Sequence, residues 1–295
     1  MKKLLFSGLC TALVTPFVNG EINYPMVDIL IQRQIEAGVE AIVLAGTTGE
    51  SPTLSDEEKI ALFRRGVRAA KGECKIIAGT GSNDTRHAIA LSRAAEEAGA
   101  DGLLVVTPYY NKATPAGLVA HYHAIAQAVQ LPVIAYNVPS RTGVDLSVPV
   151  CKELAGIRNI AGIKEASGNI SKVLRIIGEC GNELPVWSGN DDQTVAVMSI
   201  GGRGVISVAS NVMPLEMNAM VTAAKNGDYD LAALLQRKLL PLTDLMFCQV
   251  NPIAVKAAMK YAGYDVGTCR MPLDGLTGDN EEKMERFFRQ WRQTP

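Results

Sequence analysis

Apolar and polar positions alternate along this chain in blocks. A short apolar run recurs roughly every 20–35 residues, and most runs precede a stretch with helical spacing. The runs are Leu9–Val14, Ala41–Ala45, Lys75–Ala78, Gly102–Thr107, Pro132–Asn137, the stretch from Asn159 to Ser167, Pro185–Ser188 and Gly204–Val208. Helical patterns follow all but the sixth: Tyr24–Ala37, from Ser55, Asp84–Ala98, Pro115–Val129, from Val148, from Asp191 and from Pro214. Ser55 with Glu58 three residues on predicts a capping box. Eight strand–helix units within residues 1–225 fit an α/β fold of the closed (β/α)8 type, a TIM barrel, better than an open sheet. Residues 226–295 lack strand signals. Helical patterns over 227–247, 251–262 and 280–292 predict a small C-terminal helical appendage.

Composition narrows the class. Apolar residues make up 47% of the 295, enough for a large core, and 29 basic against 30 acidic side chains leave a net charge of −1. Neither nucleic acid nor an anionic membrane surface is implied. Six cysteines without CxxC spacing argue against a disulfide framework or zinc site and point to a reducing, cytoplasmic setting. Lys2-Lys3 before Leu4-Leu5-Phe6 hints at a secretion signal, but Ser7-Gly8 breaks the run, so residues 1–17 read as a lead-in and first strand ending at Thr15-Pro16-Phe17. No apolar run is long enough for a membrane span. Gly79-Thr80-Gly81 is not a dinucleotide fingerprint.

In a barrel of this kind the chemistry sits at the carboxyl ends of the strands. Lys164 ends the sixth. It either snorkels to solvent or stays buried as a neutral amine, nucleophilic toward a carbonyl. The second strand leads into Gly46-Thr47-Thr48-Gly49-Glu50-Ser51, whose glycines let backbone N–H groups face a carboxylate. Thr107-Pro108-Tyr109-Tyr110-Asn111 follows the fourth strand, and the fifth ends in Tyr136-Asn137-Val138-Pro139-Ser140-Arg141-Thr142-Gly143. After the seventh, the acids of Ser188-Gly189-Asn190-Asp191-Asp192 read as a helix N-cap. The three histidines, His87, His121 and His123, fall on helical patterns and read as surface residues, so no metal-ligand cluster is expected. Lysine, phenol and hydroxyl together suit Schiff-base chemistry.

In order and spacing, Gly46–Ser51, Tyr136–Gly143 and Gly162–Ala166 match the motifs of one family, and the chain resembles dihydrodipicolinate synthase (4-hydroxy-tetrahydrodipicolinate synthase) over nearly its whole length. The wider N-acetylneuraminate lyase superfamily of class I Schiff-base aldolases shares the glycine-rich turn and the lysine. Thr48 and Pro139–Gly143 separate the synthases from it. The resemblance implies that pyruvate forms an imine with Lys164, with no cofactor, and that the Thr47 and Thr48 N–H groups hold its carboxylate. It assigns Tyr136 to proton transfer, with Thr48 linking it to Tyr110. It assigns Arg141 to the carboxylate of L-aspartate-4-semialdehyde, and Gly189 and Ile206 to the pocket lining. It further implies the diaminopimelate route to lysine, and a homotetramer built as a dimer of dimers with Tyr110 supplied across the tight interface.

Two rival readings stand beside it. One is a sister pyruvate-dependent aldolase acting on a sugar acid, disfavoured by Arg141. The other is a non-catalytic keto-acid-binding barrel, disfavoured by Lys164, both tyrosines and Thr48 together. Lysine-sensitive family members bind L-lysine at the tight dimer interface, where this chain has Pro52, Asp56, Lys59, Asn83, His87 and Tyr109. His87 stands where sensitive members carry glutamate, and Lys59 and Asp56 each replace a histidine. The expectation is weak or absent inhibition by lysine.

Overall fold

The computed structural model describes residue 2 and residues 4–291. Residues 1 and 3 of the lead-in and 292–295 of the tail, including the last residue of the third predicted tail helix, lie outside the described residues. Eight strands form a closed parallel barrel: β1 (Gly8–Ala12), β2 (Ala41–Leu44), β3 (Lys75–Gly79), β4 (Gly102–Val106), β5 (Val133–Asn137), β6 (Ile160–Glu165), β7 (Val186–Ser188) and β8 (Gly204–Ser207). Each pairs with its neighbour in sequence, and β1 closes the ring by pairing with both β2 and β8. Helices α1 (Tyr24–Glu36), α2 (Asp56–Ala70), α3 (Thr85–Glu97), α4 (Pro115–Ala128), α5 (Val148–Ala155), α6 (Ile170–Cys180), α7 (Thr194–Ser199) and α8 (Pro214–Lys225) follow the strands in turn. The tail forms α9 (Tyr229–Met246), α10 (Ile253–Tyr261) and α11 (Asp279–Trp291).

Strand periodicity sorts the core into two shells. Cys10, Ala12, Ala41, Val43, Ile77, Leu104, Ile134, Tyr136, Trp187 and Ile206 fill the barrel. Their strand neighbours Leu9, Ile42, Leu44, Ile76, Leu103, Val105, Val133 and Ala135 belong to the larger cluster shared with the helices. Phe6, just before β1, stacks on Trp187 with ring centroids 4.7 Å apart, so the lead-in closes the amino-terminal end of the barrel. The capping box at α2 forms in both directions, Ser55 with Glu58.

The sequence pattern missed α6, capped by Asn169. It also missed a two-stranded hairpin, Phe17–Val18 with Glu21–Ile22, and one helical turn at Pro139–Thr142. Asp191 does not cap its own helix. It is buried, and its Oδ2 accepts the N–H groups of Val208 and Ala209 at 2.9 Å each, just past the end of the neighbouring strand β8. His121 is not a surface residue either. Leu118, Tyr122 and Ile125 put the apolar face of α4 against the core and carry His121 inward, where Nδ1 meets the Thr85 hydroxyl at 2.9 Å and Nε2 has no partner.

Burial holds the His121 imidazole well below its usual 6.5, at about 4. The unfolded chain therefore binds a proton at a pH where the fold does not. Stability is fully retained above the unfolded value and falls as pH drops through 6.5 toward 4. His121 is expected to account for a loss of about 2 kcal/mol between neutral pH and about pH 5. Denaturant unfolding of wild type and His121→Gln across that range checks this. An unchanged slope in the variant would assign the pH dependence to another group.

Candidate active site

The barrel positions its lysine through an irregularity. Along the β5–β6 pair, Val133 stands beside Ile160 but Ile134 stands beside Gly162, so Ala161 is one extra residue in β6. Without it, Tyr136 would face Ile163 and Lys164 would sit one position out of register. With it, Tyr136 pairs with Lys164 and both point into the barrel, while Ile160 and Ile163 face the helices. Gly162 permits the bulge: its φ is +155°, and a Cβ there would lie 2.4 Å from the Pro185 carbonyl oxygen and 2.5 Å from the Trp187 ring.

Lys164 is 4% exposed, and its Nζ lies 4.5 Å from the centre of the Tyr136 ring. It faces a cavity of about 210 Å³ at the carboxyl end of the barrel, lined also by Thr47, Thr48, Val138, Arg141, Gly189, Val208, Phe247 and Asn251. The turn after β2 closes on itself through Glu50 N–H to Thr47 O (3.1 Å) and Ser51 N–H to Gly46 O (3.2 Å). Among the described residues, the Thr47 and Thr48 N–H groups meet no protein acceptor. Arg141, from the single turn after β5, donates Nη2 to the Asn251 carbonyl at 3.2 Å. The cavity therefore offers an amine, a phenol, two unpaired amides and a guanidinium to a small molecule carrying a carbonyl and a carboxylate.

Behind this face the next residue of each strand points to the helices. Glu165 accepts from Asn137 Nδ2 (2.9 Å) and the Ser167 N–H (2.7 Å), and its Oε2 lies 3.3 Å from Lys172 Nζ on α6. Lys172 also pairs with Asp145, and Asn137 Nδ2 reaches Asp145 at 2.8 Å. This network ties β5 to β6 directly beneath the Tyr136–Lys164 pair. Burial pushes the Asp191 carboxyl up, against its hydrogen bonds and the Lys164 charge, which pull it down.

A second cavity, of about 280 Å³, shares Thr47, Tyr136 and Arg141 and reaches Pro52, Lys59, His87 and Tyr109. Two of its lining residues engage Asp56, which does not line it: His87 Nε2 at 2.8 Å and Lys59 Nζ at 3.6 Å. Among the described residues no group of three or more His, Cys, Asp or Glu is placed to hold a metal ion.

Of the residues singled out from sequence, Lys164, Tyr136, Thr47, Thr48, Arg141 and Gly189 line one cavity. Ile206 does not. It is fully buried in the barrel filling, and Val208 lines the cavity instead. Tyr110 lies apart, 89% exposed, with φ +72°. Thr48 Oγ1 accepts from Asn251 Nδ2 at 3.1 Å, and with Tyr110 in solvent no Tyr136–Thr48–Tyr110 relay is assembled within one chain. Asn251 was missed. Its only local signal was Asn-Pro ahead of a helical pattern, which marks a turn but not a contact with a residue 203 positions earlier.

The model of the dihydrodipicolinate synthetase family matches residues 5–291. The 4-hydroxy-tetrahydrodipicolinate synthase of Acetivibrio thermocellus is 43% identical over 291 residues, 99% of each chain. The crystal structure of dihydrodipicolinate synthase from Aquifex aeolicus superposes with a TM-score of 0.95 at 41% identity, covering 97% of this chain and 98% of that one. The enzyme from Cyanidioschyzon merolae, solved with lysine bound, gives 0.93 at 39% identity, covering 96% and 97%.

Gly189 gives the site a direct test. A Cβ there would stand 2.5 Å from the Ala166 Cβ and 3.1 Å from the Lys164 Cε. Gly189→Ala is expected to keep the fold at a cost of about 1–3 kcal/mol. By displacing the amine it should slow borohydride trapping of a 2-oxo acid by at least about tenfold. Wild-type trapping in a folded variant would show that Lys164 tolerates the added methyl.

Proposed function

From a chain that belongs to the dihydrodipicolinate synthetase family, we propose a lyase reaction, the synthesis of 4-hydroxy-tetrahydrodipicolinate for lysine biosynthesis, running through an imine at Lys164. The observation that carries it is the buried Lys164 amine, 4.5 Å from the Tyr136 ring, in a cavity that also presents the two unpaired amides of Thr47 and Thr48. The amine adds to C2 of pyruvate and water leaves, giving the imine, while the amides of Thr47 and Thr48 hold the carboxylate. Loss of a C3 proton gives the enamine, whose C3 attacks the aldehyde carbon of L-aspartate-4-semialdehyde. The amino group of that adduct then displaces Lys164 from C2, closing the ring and freeing the enzyme. No cofactor enters the cycle. Tyr136 moves protons at the imine, and Arg141 takes the carboxylate of the acceptor, a task that suits a planar guanidinium.

The same proposal places Tyr110 in the site of a second copy, in a homotetramer built from two tight dimers. An exposed tyrosine at positive φ is a strained conformation with no role inside its own chain. Val250 and Phe247, beside Asn251, are also exposed apolar side chains. All six cysteines are free, and no helix among the described residues is long and apolar enough to cross a membrane. Both fit the proposed cytoplasmic setting. The division into a barrel of residues 1–225 and a helical segment of 226–295 belongs to the same reading. A sugar-acid aldolase and a non-catalytic binder gain no support from any relative described above.

Borohydride reduction with pyruvate is expected to add a stable mass at Lys164 alone, and none in Lys164→Ala. Arg141→Ala should still trap pyruvate while kcat/KM for the semialdehyde falls at least about tenfold, the worth of one charge-assisted hydrogen bond. Labelling that persists without Lys164 would overturn the imine. Equal loss of both steps in Arg141→Ala would remove its acceptor role.

Feedback by L-lysine is expected to be weak. An ammonium ligand in the second cavity would meet Lys59 and His87, and the nearby Asp56 carboxylate is already held by both. Losing one charge-assisted contact costs about 1.5–3 kcal/mol, or about ten- to a hundredfold in affinity, and half-inhibition is expected no lower than about 1 mM. A turnover titration against lysine measures it, and half-inhibition well below that concentration would refute this reading of the pocket.

A further inference from the structure

The turn that carries Thr47 and Thr48 ends in Glu50, a residue with φ +57° and ψ +37°. Side chains rarely adopt this left-handed conformation, so the turn needs something to hold it. Glu50 is buried, and its carboxylate has two holders, both from the far end of the chain. Oε1 lies 2.5 Å from Lys256 Nζ, with the two side chains 1% and 2% exposed. Oε2 accepts the Arg270 N–H at 2.8 Å. Lys256 is itself fixed: it donates to the Thr268 carbonyl at 3.1 Å and lies 4.1 Å from the centre of the Phe17 ring. At the other end of the turn, Asn251 Nδ2 donates to Thr48 Oγ1 at 3.1 Å. Asn251 precedes α10 and Lys256 lies on it, so one short helix region grips the turn from both sides.

A buried ion pair adds little net stability over an apolar pair of the same shape. Its effect here is geometric. Glu50 is bonded back to Thr47, and Thr15 Oγ1 holds the Gly49 carbonyl at 2.7 Å, so a displacement at Glu50 passes directly to the two unpaired amides. We propose that Lys256 and Glu50 are positioning residues for the first substrate, and that their ion pair sets the Thr47–Thr48 amides at the spacing that a 2-oxo acid carboxylate needs. The inference rests on the imine reading above. It adds that the Glu50–Lys256 pair governs affinity for the first substrate and not for the acceptor, whose Arg141 is held separately through the Asn251 carbonyl.

The test uses Lys256→Met, which keeps the aliphatic stem and leaves Glu50 unpaired, and Glu50→Gln/Lys256→Met, which leaves no buried charge. Two quantities are read: the pyruvate concentration for half-maximal borohydride trapping at Lys164, and the semialdehyde KM at saturating pyruvate. The double variant is expected to recover the melting temperature lost in the single one. In both, half-saturation by pyruvate should rise at least about tenfold while the semialdehyde KM moves by less than about twofold. A folded double variant with wild-type half-saturation overturns the proposal, as does an equal loss for both substrates. Failure of both variants to fold would also overturn it, since the pair would then serve the fold and not the turn. If wild type is not trapped by pyruvate, the imine reading fails first and takes this one with it. Normal trapping in wild type and variants alike removes the ion-pair role alone.

Discussion

One extra residue in one strand decides what this barrel contains. A closed parallel barrel fills its interior with alternate side chains from every strand, and those side chains are ordinarily apolar. The inserted Ala161 changes the parity of β6, so the position beside Tyr136 holds Lys164 instead of Ile163. A one-residue slip would send the amine toward the helices and bring Ile163 inward. Gly162, at φ +155° and pressed against Pro185 and Trp187, is what allows the insertion. Gly189 then leaves the space that the lysine stem occupies. The buried amine, the proposed nucleophile, is a product of strand register before it is a product of side-chain chemistry.

The site divides its labour between a rigid layer and a supported one. Tyr136 and Lys164 come from neighbouring strands, and the network of Asn137, Glu165, Lys172 and Asp145 locks those strands together from the outside. The amides of Thr47 and Thr48 and the Arg141 guanidinium come from loops, which a barrel alone does not hold still. Their support is remote in sequence: Asn251 touches both Thr48 and Arg141, and Lys256 and Arg270 hold Glu50. Arg270 binds Glu58 on α2 as well, which fixes the tail to the helix that follows the same turn. The C-terminal segment is thus structurally continuous with the site.

Much of this was legible because local chemistry and the tertiary fold agree. Ile42 and Val43, or Leu103 and Leu104, are buried on both faces of their strands, and such runs stand out in a sequence. Ser55 and Glu58 cap a helix through contacts only three residues apart. Other elements also carry local signals. Asn19-Gly20 marks the turn of the small hairpin, and Asn169 with Ile170, Val173 and Ile176 marks α6. A lone glycine inside a strand pattern, Gly162, is the usual sign of a bulge. What periodicity could not supply was long-range. The roles of Asn251 and Lys256 exist only because β2 and α10 meet in space, and Asp191 caps amides belonging to a different strand end. His121 misled because a histidine on an amphipathic helix was assigned by residue type, when its place among Leu118, Tyr122 and Ile125 put it on the apolar face.

On the proposed reading, Tyr110 marks where a single chain stops being sufficient. The amine, the phenol of Tyr136, the amide pair and the guanidinium converge within one barrel mouth, so the proposed imine formation draws on groups of one chain. The proposed proton path needs more than one chain, because Tyr110 stands almost wholly in solvent in a backbone conformation that disfavours side chains. A strained, exposed aromatic is stable only when other contacts over-determine it. On the proposed reading those contacts come from a second copy, and exchange of tyrosines between two chains would couple proton transfer to assembly. Dissociation would then separate two properties that a self-contained barrel keeps together: the ability to bind a 2-oxo acid covalently, which stays with the monomer, and the ability to turn it over, which does not.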